Sequence, residues 1–116
     1  MSTPLIDSYD FGFIIIDGKS YTADLIITSG HIQDTWWRSE GHRLSLDDLK
    51  EALAVNPEIL IIGAGYNGRM KVSSEVITQL SDMGIRVVVE NTSNAVESYN
   101  RLKDSHRTVA ALHLTC

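Results

Sequence analysis

Cysteine is nearly absent from this sequence: of 116 residues only Cys116 carries a thiol, and one thiol cannot close an internal disulfide. No stretch is apolar for long. Runs such as Phe13-Ile14-Ile15-Ile16 and Ile59-Leu60-Ile61-Ile62 fall far short of the roughly 20 apolar residues a helix needs to cross a bilayer. Basic residues are also few, ten against fifteen acidic ones, and the formal charge of −5 supplies no general attraction to nucleic acid or to an anionic membrane surface. The N-terminus lacks a basic segment followed by an apolar stretch and a small-residue cleavage site. These absences lead us to expect a reducing, cytoplasmic setting, with neither nucleic acid nor membrane as partner. Low-complexity tracts and internal repeats are missing as well. What is present, 43% apolar and 22% charged residues, is the composition of an ordinary globular protein. Residues 1–116 are expected to form one domain, burying roughly two-thirds of the unfolded surface.

The first third predicts antiparallel strands. Phe11 to Ile16 is apolar and β-branched, Asp17-Gly18 is a hairpin turn signal, and Lys19 to Thr28 resumes strand character. A second turn at Ser29-Gly30 leads into His31 to Trp37, which makes a three-stranded meander whose apolar face needs cover from later in the chain. Ser45 is a helix N-cap followed by Asp47 and Asp48 in the first turn. Leu46, Leu49 and Leu53 then keep helical spacing until Asn56-Pro57 stops it. Glu58 to Ile62 is a buried strand. Ser73 or Ser74 caps a helix carrying Val76, Ile77, Leu80 and Met83, Gly84 ends it, and Ile85 to Val89 is the next strand. A third helix begins at Thr92-Ser93-Asn94, with Ala95, Tyr99 and Leu102 inward, before a last strand from Thr108 to Leu114. The right-handed crossover rule makes the first two strands of this half parallel.

Gly63-Ala64-Gly65-Tyr66-Asn67-Gly68 has the G-x-G-x-x-G spacing of a dinucleotide loop, directly after a strand and with Glu90 at the end of the next. Arg69-Met70-Lys71-Val72 nevertheless separates the last glycine from the helix cap, so Gly68 cannot pack at a helix start. The chain also has no room for the two halves of that fold and a catalytic domain. A weaker functional reading is an anion site built from backbone N–H groups with Arg69 and Lys71. The simpler reading is a turn that needs positive φ, and the residues favour it.

The four histidines, His31, His42, His106 and His113, are scattered, and His113 and Cys116 sit at an odd spacing that an extended chain places on opposite faces. No metal site and no cofactor is expected. A Cys116 nucleophile with His42 or His106 is the chemical reading of the thiol, against the favoured one of a packed terminal side chain. Trp36-Trp37-Arg38, followed by Gly41-His42, gathers two indoles, a guanidinium and an imidazole outside obvious helix. If the segment is a strand, one indole should face the core and the other the opposite side, to stack on Arg38 or to meet a ligand or partner; the favoured reading is that both cover the open edge of the meander.

The order of several motifs is familiar: Tyr9-Asp10-Phe11-Gly12, Trp37-Arg38 with Gly41-His42, Ile62-Gly63-Ala64-Gly65, Ala95-Val96 with Tyr99-Asn100, and Leu112-His113-Leu114-Thr115-Cys116. Together they resemble the Mth-type family of domains of unknown function, which includes the adipogenesis-associated Mth-domain protein and a mitochondrial complex I assembly factor. The resemblance spans nearly the whole chain. It implies a three-layer α/β fold with a central mixed sheet, an added β layer and at least one antiparallel strand. It brings no agreed catalytic residue, so Gly63, Gly65, Trp37, Arg38, Tyr99, Asn100 and Cys116 carry over as family-pattern positions only. Relatives linked to assembly and regulation imply a comparable role here.

The leading expectation is thus an α/β protein acting as a non-enzymatic binding or assembly-accessory domain, a monomer or weak homodimer with a protein partner. Its contact residues would be Trp37, Arg38 and His42, together with the loop Gly63, Gly65, Gly68 and Arg69. The alternative is a small-molecule or anion site, with catalysis left open, where that loop meets Asn91, Thr92 and Asn94 at the carboxyl ends of the central strands.

Overall fold

The computed structural model describes residues 3–28, 30–40 and 42–116. Its centre is a five-stranded mixed sheet in the order β5-β4-β10-β7-β9, formed by β4 (Leu25–Thr28), β5 (His31–Gln33), β7 (Ile59–Ala64), β9 (Arg86–Glu90) and β10 (Thr108–His113), while β6 (Arg43–Leu44) and β8 (Lys71–Val72) form a separate two-stranded pair. β10, β7 and β9 are parallel to one another, whereas β4 runs antiparallel to β10 and β5 antiparallel to β4. The strand that comes last in the chain therefore sits in the middle of the sheet.

Alternation along the strands divides the core in two. Leu60, Ile62, Val109 and Ala111 face one side, where α2 (Ser74–Asp82) and a 3-10 turn at Leu46–Leu49 running into α1 (Lys50–Leu53) supply Val76, Leu80, Leu49 and Ala52. Ile59, Ile61, Ala110 and Leu112 face the other, under α3 (Thr92–Leu102) and a small sheet of β1 (Ile6–Asp10), β2 (Phe13–Ile16) and β3 (Lys19–Tyr21). This is the expected three-layer arrangement with its added β layer. At roughly 1.5–3 kcal/mol for each fully buried aliphatic side chain, the unbroken burial of β7 and β10 makes these two strands the main source of stability.

The meander exists, with its membership changed. Asp17 and Gly18 turn the β2–β3 hairpin with φ of 49° and 79°, the double left-handed turn that matches strand twist. The third member, however, is β1, whose polar alternation Ile-Asp-Ser-Tyr-Asp gave no apolar run to read. Lys19 to Thr28 is two strands rather than one. The chain leaves the small sheet after Tyr21 and enters the central sheet at Leu25, because Asp24 between them is pulled into side-chain pairing instead of a ladder. The expected strand to Trp37 ends at Gln33, and Ser29 and Gly41 of the expected turn and motif lie outside the described residues.

Both longer helices start where expected. Ser73 Oγ accepts from the Val76 amide at 3.2 Å, and Asn91 Oδ1 accepts from the Asn94 amide at 3.0 Å. Met83 does not join the apolar stripe of α2; it lies past the helix end and is exposed. The Tyr99-Asn100 pair staples the start of β1 to α3. Tyr99 donates its phenol hydrogen to the Pro4 carbonyl at 2.7 Å, and the Asn100 amide brackets the Ile6 backbone at 3.0 and 2.8 Å. No helix is long and apolar enough to cross a membrane among the described residues.

Candidate functional site

Asp24 stands at the step between two sheets, and three donors converge on its carboxylate. The Leu114 amide reaches Oδ1 at 2.7 Å, while His113 Nδ1 at 2.7 Å and Arg38 Nη2 at 2.9 Å share Oδ2. The Asp24 carbonyl also accepts from the Trp36 amide at 2.7 Å, so one residue ties the exit of β10 to the segment after β5. Burial would raise the carboxyl's pKa. The His113 hydrogen bond, the Leu114 amide and the charges of His113 and Arg38 outweigh that effect and hold it below the usual carboxylate range.

An ionised carboxylate only accepts, so the 2.7 Å contact places the ring hydrogen of His113 on Nδ1. Arg38 Nη2 lies 3.2 Å from the same nitrogen because both donors meet on one oxygen. The far nitrogen, Nε2, is buried and has no hydrogen-bond partner among the described residues. His42 packs edge-on against this ring with centroids 5.9 Å apart and is itself exposed. Carboxylate, imidazole and guanidinium thus form a compact polar cluster at the carboxyl end of β10. An imidazole oriented by a carboxylate and keeping a free nitrogen has the form of an acid–base or ligand-binding group.

The glycine loop meets the cluster at one point. Gly65 has φ of +105°, and a methyl there would sit 2.7 Å from the Thr115 carbonyl oxygen and 2.8 Å from both the Cys116 carbonyl oxygen and His113 Cδ2. A methyl on Gly63 would strike Thr92 Oγ1 and Leu112 Cδ2 at 2.9 Å. Much of the loop's hydrogen bonding is internal: Gly65 donates to Thr92 Oγ1, Tyr66 to the Thr115 carbonyl, and Gly68 to the Gly65 carbonyl, at 2.9, 2.8 and 3.1 Å. Thr92 is fully buried and passes its own hydroxyl hydrogen to the His113 carbonyl at 2.6 Å. The helix packed at this turn is α3 rather than α2, and Glu90 accepts from Ser98 Oγ at 2.6 Å. Close backbone packing thus explains Gly63 and Gly65 without a nucleotide.

Trp36 and Trp37 separate, one buried and one exposed, outside any strand, so the expected covering of both indoles does not hold for Trp37. Trp36 is buried, donates Nε1–H to the Asp48 carbonyl at 2.8 Å and carries the Arg38 guanidinium 4.6 Å above its ring. Trp37 is 76% exposed. It borders an open cleft of about 490 Å³ that also involves Asp47, Lys50 and Glu51. The Asp48 carboxylate is engaged by the Ser45 and Ser39 amides at 2.9 and 3.3 Å, whereas Asp47 and Glu51 reach toward solvent along the cleft.

The structure therefore gathers Arg38, His42 and Gly65 around His113, and leaves Trp37 on a separate, exposed surface. Gly68 and Arg69 stand on the loop away from the cleft, and neither Arg69 nor Thr92 borders it. Sequence reasoning missed Asp24 altogether and read His113 only as a poor metal ligand. The available signal was an acid placed directly before Leu25-Ile26-Ile27, since a carboxylate at the mouth of a fully buried strand needs partners. Among the described residues no group of three His, Cys, Asp or Glu side chains is placed to hold a metal ion.

Solved structures share this architecture. The conserved hypothetical protein PH1505 of Pyrococcus horikoshii OT3 is 26% identical, with 96% of this chain and 98% of that one covered and a TM-score of 0.81. The protein MT938 is 24% identical, with coverage of 98% and 100% and a TM-score of 0.80. A Mth938-like domain protein of Bordetella pertussis is 20% identical, with coverage of 96% and 85% and a TM-score of 0.77. Residues 6–114 match the family described as "Protein of unknown function (DUF498/DUF598)". With that match across nearly its whole length and the same fold in Mth938-like structures, the chain belongs to the DUF498/DUF598 family, the Mth-type domains of unknown function.

Proposed function

We propose that this domain is a non-enzymatic, cytoplasmic protein-binding module of the assembly-accessory kind, and that Trp37 with the acidic cleft beside it is its contact surface. The carrying observation is the exposure of Trp37, 76%, next to a Trp36–Arg38–Asp24 arrangement that fixes the backbone presenting it. An indole held in water by a rigid support is the kind of anchor that protein interfaces use. Asp47 and Glu51 outnumber Lys50 in the cleft, so the partner segment is basic, with a Lys or Arg over the indole face. His42 and the loop residues Gly65, Gly68 and Arg69 do not border this cleft and form no part of the proposed surface.

Titration with a Gly-Arg repeat peptide and its Gly-Glu counterpart, followed by tryptophan fluorescence, tests it. The basic peptide should shift the emission, and Trp37→Ala and Asp47→Lys should each abolish the shift. Equal responses to both peptides, or a response surviving Trp37→Ala, would count against the surface.

One observation favours the second reading, a small-molecule or anion site at the glycine loop: the buried, unpartnered Nε2 of His113 beside Gly65. Nitrogen-15 shifts of that ring on adding phosphate, acetate or bicarbonate decide it, and unmoved shifts withdraw it.

A further inference from the structure

β9 forms one edge of the central sheet and pairs only with β7 among the described strands. It is longer than the edge strands β5 and β3, five residues against three in each. The Arg86 amide donates to the Glu58 carbonyl at 3.0 Å, so Arg86 directs its backbone groups toward β7. Alternation gives Val88 and Glu90 the same direction, and turns the N–H and C=O groups of Val87 and Val89 outward. An open row of backbone donors and acceptors flanked by three valines is a template for another strand.

The sequence of the edge, Arg86-Val87-Val88-Val89-Glu90, selects that strand. We infer that β9 pairs antiparallel with β9 of a second copy about a twofold axis through Val88, which joins two five-stranded sheets into one. In this register Val87 of each copy lies opposite Val89 of the other. These are the residues whose backbone groups face outward, so four intermolecular hydrogen bonds form without disturbing β7. Arg86 then lies directly opposite Glu90 of the other copy, twice, on one face of the joined sheet. Ser98 occupies Oε1 of Glu90 and leaves Oε2 for the guanidinium. Moving the register by two residues either way breaks the match: one shift sets Glu90 opposite Val88, the other sets Arg86 opposite Val88. A partner strand of uniform charge would be repelled by one of these two charges, whereas their own antiparallel copy satisfies both.

The inference does not depend on the Trp37 reading, since β5, which leads to Trp37, forms the opposite edge of the sheet. Sedimentation velocity over a concentration series, with circular dichroism as the check on folding, tests it. The wild-type chain should show a reversible dimer. Arg86→Glu and Glu90→Arg should each weaken it by about tenfold, because each places like charges opposite one another at both ends. The double variant R86E/E90R should recover the wild-type constant. Val89→Pro removes an outward N–H and no bond to β7, and should give a folded monomer. A wild-type chain still monomeric at about 1 mM, a dimer indifferent to the single reversals, or a folded double variant that fails to recover would each overturn the assignment.

Discussion

Replacing Asp24 with asparagine keeps the shape of the side chain and removes its charge. In the native structure this carboxylate accepts from the Leu114 amide, His113 Nδ1 and Arg38 Nη2, all within 2.9 Å, and the Arg38 side chain is only 5% exposed. The amide can still accept at one oxygen, so one or two of the three contacts survive. The guanidinium loses the Asp24 charge, and breaking one partner of such a pair costs about 3–5 kcal/mol when fully buried. The Asp24 side chain is 19% exposed, and water screening lowers the expectation to about 3 kcal/mol. In a domain of this size that is a fall of about 10–15 °C in Tm, readable by circular dichroism and by the urea midpoint.

The pH dependence has a definite sign. Asp24 has a lower pKa folded than unfolded, so the unfolded chain binds more protons in the acid range. Its contribution is fully present above about pH 4 and is lost as pH falls through the folded value. Asp24→Asn should therefore flatten that part of the acid limb. Arg38→Met should cost less in the Asp24→Asn background than alone, because the cation has already lost the Asp24 charge. A cost below about 1 kcal/mol for Asp24→Asn, or additive costs for the pair, would refute the reasoning.

Gly65→Ala should destabilise the fold by about 2–3 kcal/mol, since the residue must hold φ of +105° while its methyl meets two carbonyl oxygens below 3 Å; a chemical denaturation curve matching wild type would contradict this. Alkaline difference spectra should show Tyr9, whose phenol burial pushes up to about 12 and whose hydrogen goes to the Leu114 carbonyl, ionising before Tyr99, which burial raises further. Ionisation of both Tyr9 and Tyr99 near the ordinary phenol value of about 10 would show that neither phenol is enclosed in the native state.

The second half of the chain was legible because each element carried its own signal. Ser73 and Asn91-Thr92 open the helices, Gly84 closes one with φ of +81°, and the apolar runs before and after them can only be covered strands. The first half was harder for a physical reason: β1 has a polar outer face and few apolar residues, and the step between the sheets is set by Asp24, whose partners lie 14, 89 and 90 residues away. No local pattern encodes such a meeting. The same distance hid the cluster around His113, and the exposure of Trp37 went against the expectation that both indoles are covered.

The central place of β10 carries a consequence for how the molecule is made. The two halves of the main sheet, β5-β4 and β7-β9, cannot join while Thr108–His113 is still being synthesised, because β4 and β7 have no direct ladder between them and wait on either side of a gap. A nascent chain would hold its apolar β4 and β7 surfaces open until the final strand inserts. Clipping only that strand from the finished protein would remove the keystone between the two halves and expose both, turning a small cut into loss of the entire sheet.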